Sequence, residues 1–256
     1  MRHVILAVAV LGIFASGAMA AIDFTVNMTA TAPTGPNDPI WNTAVKYSVT
    51  DKSNPNNWVS DDSGTPNAAA WPTGFSVTQA MLWDSTKLYE CVWVTDATHV
   101  ATSSNGWEND GVEFYNKMLG RSGKDKSQNT IGLRSDGTVF NLGNNDIALP
   151  NGNVVGTFTN PNYAVQVTFE WLGTGGGQLG YSSVPLMTDA IPVLVSVNDV
   201  DSGIARVGRA RIPGDNTGID QWTLGALPTA QLTPEPATMA LLGLGAVGML
   251  LRRRRR

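Results

Sequence analysis

The residues best suited to chemistry in this sequence run Trp107-Glu108-Asn109-Asp110-Gly111-Val112-Glu113, with Phe114 and Tyr115 behind them. Side chains alternate across an extended strand, so Trp107, Asn109, Gly111, Glu113 and Tyr115 share one face and Val112 and Phe114 the other. The first face carries a ring and a carboxylate; the second is apolar. A flat ring beside a fixed acceptor suits a sugar, whose C–H face packs on the aromatic while its hydroxyls need partners. The same pattern also fits an edge-strand Trp closing a core, with a solvated Glu beside it. A glycosidase pair of Glu108 and Glu113 is excluded by parity, since side chains five apart on a strand face opposite ways. Beyond His3 the only histidine is His99, and no Ser-His-Asp or zinc spacing is visible, so the chain reads as non-catalytic.

The elements that must position this stretch are strands. Gln79 to Trp83, a turn at Asp84-Ser85-Thr86-Lys87 and Leu88 to Thr95 form a hairpin pattern. Thr130 to Arg134 places Ile131 and Leu133 on one face and Arg134 on the other, where Arg134 could stand beside Glu113 if the strands share a sheet. Tyr163, Val165, Val167, Phe169 and Trp171 alternate with Ala164, Gln166, Thr168 and Glu170, the mark of a half-buried antiparallel strand. Ile191 to Asn198, Arg206 to Arg211 and Gln221 to Leu227 complete the set. Residues 54–78 read as a long surface loop holding one short strand, with Trp58 and Trp71 either plugging the core or extending a binding surface. Gly175-Gly176-Gly177 lacks the Lys-Ser/Thr and following helix of a phosphate loop and reads as a flexible connection. Without an amphipathic helix in residues 21–233, many short strands between Gly, Pro, Asn and Asp clusters predict an all-β antiparallel sandwich or jelly roll.

Both ends carry sorting patterns. Arg2 and His3, the apolar run from Val4 and the small-residue site Ala18-Met19-Ala20 read as a signal peptide cut after Ala20, the alternative being an uncleaved anchor. At the other end Thr233-Pro234-Glu235-Pro236 precedes an apolar transmembrane segment, Ala237 to Leu251, and the arginines Arg252 to Arg256. The expected layout is a signal peptide over 1–20, an exposed leader over 21–36, a sandwich domain over 37–232 and a sorting signal over 233–256. Setting aside Arg2 and the terminal arginines takes the 17 basic residues to 11, and setting aside Glu235 takes the 21 acidic ones to 20, a charge of about −9. Nucleic acid is therefore excluded as a partner. Cys91 is the sole cysteine, so no internal disulfide forms, and its apolar strand makes it a buried, inert thiol.

The Pro-Glu-Pro, helix and arginine order resembles the PEP-CTERM sorting signal of Gram-negative bacteria. That resemblance implies recognition by an exosortase, transient insertion in the inner membrane, and export to the cell surface or extracellular matrix. A second resemblance spans the rest of the chain. Ile40-Trp41-Asn42-Thr43-Ala44, Ala80 to Asp84 with Lys87-Leu88-Tyr89, Val92-Trp93-Val94-Thr95-Asp96, Trp107 to Phe114, Tyr163 to Gly173, Val197 to Asp201 and Trp222-Thr223-Leu224-Gly225 occur in the order of carbohydrate-binding module family 9.

Members of that family studied as sugar binders clamp a sugar between two tryptophans and hold its hydroxyls with Glu, Arg, Asn and Gln. The resemblance implies Trp107 and Trp222 as the rings, Glu113 as the carboxylate and Arg134 as the guanidinium. The family's Gln falls on or near Ser196 or Asn198, and its Asn falls on Ile219, a departure from the pattern. The partner implied is a polysaccharide or oligosaccharide, and no organic cofactor is called for. Members also hold structural calcium, for which Asn109-Asp110 and Asp199-Val200-Asp201-Ser202 offer oxygens, although acidic turn residues serve turns as well. Two alternatives follow from the same superfamily and setting. One is a haem-binding electron carrier, with His99, Met118 and Met187 as candidate ligands. The other is a surface protein that borrows the sandwich without a ligand.

Overall fold

Asp84 folds its turn as the residue types dictate. Its Oδ1 accepts from the backbone N–H groups of Thr86 (2.6 Å) and Lys87 (2.8 Å) and from the Thr86 hydroxyl (2.7 Å), which closes the expected hairpin. The computed structural model describes residues 24–50, 58–60, 65–66, 72–100, 109–117, 126–133, 139–141, 153–159, 161–173, 177–186, 190–200, 208–212 and 229–234. The first strands are β1 (Phe24–Met28), β2 (Lys46–Val49), β3 (Trp58–Ser60), β4 (Thr65–Pro66), β5 (Ser76–Trp83) and β6 (Lys87–Thr95). There follow β7 (Gly111–Lys117), β8 (Lys126–Leu133), β9 (Val139–Asn141), β10 (Val154–Thr159) and β11 (Asn162–Leu172). The last are β12 (Gln178–Tyr181), β13 (Ala190–Asp199), β14 (Gly208–Ile212) and β15 (Thr229–Thr233).

The strands form two layers joined by one shared strand. The first runs β10-β11-β6-β5-β1-β15, with β12 beside β11 and β2 also on β5; the second runs β9-β8-β7-β13-β14-β3-β4. Strand β13 belongs to both, because Ala190 to Pro192 pair with β15 while Val193 to Asn198 pair with β7. Alternation decides which side chains meet between the layers. Val77, Met81 and Trp83 of β5, Leu88, Val92 and Val94 of β6, and the odd residues Tyr163 to Trp171 of β11 face Val112 and Phe114 of β7 and Val193, Val195 and Val197 of β13. The all-β sandwich expected from the residue pattern is the observed fold.

Strand β11 is more buried than a half-exposed strand, since Ala164 and Gln166 on its other face are also covered. The cover comes from the N-terminal segment. Residues 21–36 were expected to be an exposed leader; instead Phe24 to Met28 form β1, parallel to both β15 and β5, with Val26 fully buried. Beyond it, Gln166 Nε2 donates to the Pro33 carbonyl (3.2 Å) and Trp41 Nε1 to the Gly35 carbonyl (3.0 Å). Asp38 caps a short 3-10 turn, Pro39–Thr43, by accepting from the Ile40 N–H. That turn lays Trp41 over Ala80, Leu82, Tyr89 and Cys91, a second apolar cluster on the outer face of the first sheet. Cys91 is buried there, and burial holds its thiol well above the usual range, as expected of an inert residue.

The loop expected over 54–78 contributes β3 and β4, and Trp58 lies in a strand paired to β14. The final described strand is β15, which reaches Thr233, one residue past the expected domain limit. The expected signal peptide, sorting helix, Trp71, Gly175-Gly176 and the strand over 221–227 lie outside the described residues. Among the described residues, no helix is long and apolar enough to cross a membrane.

Candidate functional site

On the second sheet the register pairs Glu113 with Ser196, Val112 with Val197 and Gly111 with Asn198. Because the valines turn into the core, Glu113, Ser196 and Asn198 share the outer face. All three are buried, Glu113 at 1% exposure and the other two at 0%. Asn198 Nδ2 donates to Glu113 Oε1 at 2.9 Å. Gly111, opposite Asn198, has no side chain to obstruct that diagonal reach. Ser196 Oγ, directly across from Glu113, has no hydrogen-bond partner among the described residues. A hydroxyl left so costs about 1–3 kcal/mol, whereas a charge-assisted bond such as Asn198 to Glu113 offsets part of the cost of burying the carboxylate.

Two of the expected sugar-binding residues, Glu113 and Asn198, are thus brought together. The alternative of a solvated Glu113 is corrected by its burial. On the adjoining strand the register places Thr130 opposite Glu113, and β8 ends at Leu133. Arg134, Trp107, Trp222 and Ile219 lie outside the described residues.

A second constellation closes one end of the core. The alternation that turns Val94, Val112 and Val197 inward carries on to Asp96, Asp110 and Asp199, one step beyond or at the strand ends. One oxygen from each carboxylate lies within 4.8 Å of the others, and all three residues are buried. Asp96 comes from the first sheet and the other two from the second. Asp110 Oδ1 accepts from the Val200 N–H (2.6 Å) and Oδ2 from the Val100 N–H (2.5 Å), tying the loops after β13 and β6 to the start of β7. Burial, with Asp96 and Asp199 adding repulsion, pushes the Asp110 carboxyl up to about 8. The Tyr163 hydroxyl is buried without a hydrogen-bond partner among the described residues, and burial beside the same three acids holds it well above the usual phenol range.

Buried like charges so close repel unless a cation or protons neutralise them. Hard oxygen donors of this kind fit calcium. Of the expected ligands, Asp110 and Asp199 converge, and Asp201 and Ser202 lie outside the described residues. Asp96 and Tyr163 were missed as site residues, although Tyr163 already heads the inward row of β11 and Asp96 continues the inward row of β6 by one step. His99, a candidate haem ligand, packs its ring against Phe158 (4.8 Å) and Tyr163 (5.1 Å), with Nδ1 3.6 Å from Asp110 Oδ2. Met118 and Met187 lie outside the described residues.

The profile described as carbohydrate family 9 binding domain-like matches residues 34–222, and the chain belongs to that family. Residues 232–256 match the PEP-CTERM protein-sorting motif. Among solved structures, the fold is similar to a carbohydrate binding module family 9 from Caldicellulosiruptor kristjanssonii in complex with cellotriose. That match has a TM-score of 0.58 and 14% identity, covering 82% of this chain and 93% of that one. A family 9 module from the same organism in complex with glucose aligns with a TM-score of 0.57 and 16% identity, over 82% of this chain and 95% of that one. No curated protein matches the chain.

Proposed function

We propose that this protein is a non-catalytic carbohydrate-binding module that holds one sugar on the outer face of the second sheet. The observation that carries the reading is the buried trio Glu113, Asn198 and Ser196: a fixed carboxylate, its amide partner and an unpartnered hydroxyl, side by side in register. In this reading Glu113 accepts from a sugar hydroxyl while Asn198 holds its other side. Trp107 and Trp222 cover the two apolar faces of the ring, and Arg134 supplies the cationic contact. The family match and the sugar-bound family 9 structures support it. Asp96, Asp110 and Asp199 hold a structural calcium that joins the two sheets at one end of the core. The PEP-CTERM motif supports export, exosortase sorting and a role at the cell surface or in its polysaccharide matrix.

Calorimetric titration of the purified protein with glucose and cellotriose, with and without EDTA, tests this. Weak but saturable binding is expected, since one clamped sugar offers few atoms. Affinity unaffected by Trp107→Ala and Trp222→Ala would remove the clamp from the proposal.

A further inference from the structure

A groove of about 240 Å³ opens on the outer face of the first sheet, on the opposite side of the sandwich from Glu113. The indole of Trp93 forms one wall, Ala164 the floor opposite it, and Thr157 and Thr159 of β10 the far wall, with Asn37 and Asn162 at the rim. The register explains the shape. Ala164 stands between Trp93 and Thr157 in one cross-strand row, so a methyl group separates a large ring from a hydroxyl. Thr159, Asn162 and Asn37 are exposed, and Trp93 is partly so.

The ring is fixed in advance. Trp93 Nε1 donates to the Pro36 carbonyl (3.2 Å), Trp41 meets it edge-on at 5.8 Å, and the Lys46 ammonium lies 5.3 Å from its centroid. A wall held this way loses little side-chain freedom on binding. Among the described residues the lining carries no charged side chain. The lining thus offers a metal ion no carboxylate, and the nearby Lys46 ammonium is engaged over the Trp93 ring, whereas threonine hydroxyls and asparagine amides both donate and accept, as a polyol requires. The volume is below the roughly 300–1,000 Å³ of a drug-sized site and suits one sugar ring.

From this groove we infer that the protein has a second carbohydrate site, for a neutral sugar, on the first sheet. The inference rests on the reading that the protein binds glycans but uses none of the residues of the Glu113 site. Two sites on opposite outer faces cannot serve the same stretch of one chain. They join two chains or two segments, and so cross-link a polysaccharide with the avidity that linked sites confer.

The test is binding stoichiometry of the full chain against neutral trisaccharides, cellotriose among them, alongside turbidity of a soluble neutral polysaccharide. Wild type is expected to bind two sugars and to cloud the polysaccharide. Thr159→Arg, an exposed change that blocks the groove without touching the core, and Trp93→Ala are each expected to bind one sugar and to lose the clouding. Glu113→Gln is expected to keep the groove site alone. Full stoichiometry in both groove variants, or loss of all binding in Glu113→Gln, overturns the second site. Binding lost in the groove variants but untouched in Glu113→Gln would instead overturn the Glu113 site, and no binding by wild type would overturn both.

Discussion

On the outer face of the first sheet, Trp41, Ala80, Leu82, Tyr89 and Cys91 pack as an apolar cluster beneath the chain's own N-terminal segment. On the outer face of the second, Glu113, Ser196 and Asn198 are buried together as polar groups. The two faces are built on strands of the same alternation, so the backbone does not account for the difference. The apolar face is stabilised by its own cover: fully burying one large side chain is worth about 1.5–3 kcal/mol. The polar face gains nothing comparable, and its Ser196 hydroxyl, without a partner among the described residues, costs stability. In the proposed reading a bound sugar supplies the missing partners. On that reading the apolar cluster around Trp41 stabilises the fold, whereas the Glu113 trio on the second sheet serves recognition.

That division can be broken most severely at Trp41. Trp41→Ala is expected to destabilise by about 3–5 kcal/mol in denaturant unfolding while sugar affinity at the Glu113 site stays unchanged. An equal loss of affinity would mean that the faces are not independent. Next in size is calcium. At a hundredfold excess over its dissociation constant a bound ion contributes about 2.7 kcal/mol, so EDTA is expected to lower the melting temperature by several degrees.

The pH dependence of the metal-free protein follows from Asp110, whose carboxyl is raised in the folded state. Between about 4 and 8 the folded chain holds a proton that the unfolded chain has lost, so stability falls as pH rises through that window. Thermal melts in EDTA should show this slope. Calcium should reverse it, because binding the ion displaces the proton.

Smaller effects separate the members of the polar face. Glu113→Gln keeps the shape but removes the charge, and is expected to weaken sugar binding by about 30-fold, or about 2 kcal/mol. Ser196→Ala is expected to cost affinity by about fivefold while leaving stability equal or higher, since it removes an unpartnered hydroxyl. If Ser196→Ala destabilised the protein without touching affinity, the hydroxyl would be structural and the comparison would lose its clearest marker.

Much of the scaffold was legible because alternation is local. Tyr163 to Trp171 and the Asp84 turn announce β11 and the β5–β6 hairpin within a dozen residues each. Strand β1 was not legible: Phe24-Thr25-Val26-Asn27-Met28 is short, set among Thr, Ala and Pro, and finds its partner at Ala230 to Thr233, near the other end of the chain. The candidate sites divide in the same way. Residue types pointed to Glu113 and the family resemblance to Asn198, Asp110 and Asp199, but neither showed that Asn198 reaches Glu113 or that Asp96 joins the other acids. Those facts depend on register and on which strand ends share one edge. That Thr130 stands opposite Glu113 could not be read either, because a strand's pairing offset is not written in either strand alone.

The central claim is most directly tested by a crystal structure of the protein with cellotriose. A sugar on the outer face of the second sheet, with a hydroxyl within about 3 Å of the Glu113 carboxylate, is the predicted result. A sugar bound only in the groove beside Trp93, with the Glu113–Asn198 pair untouched, would contradict it.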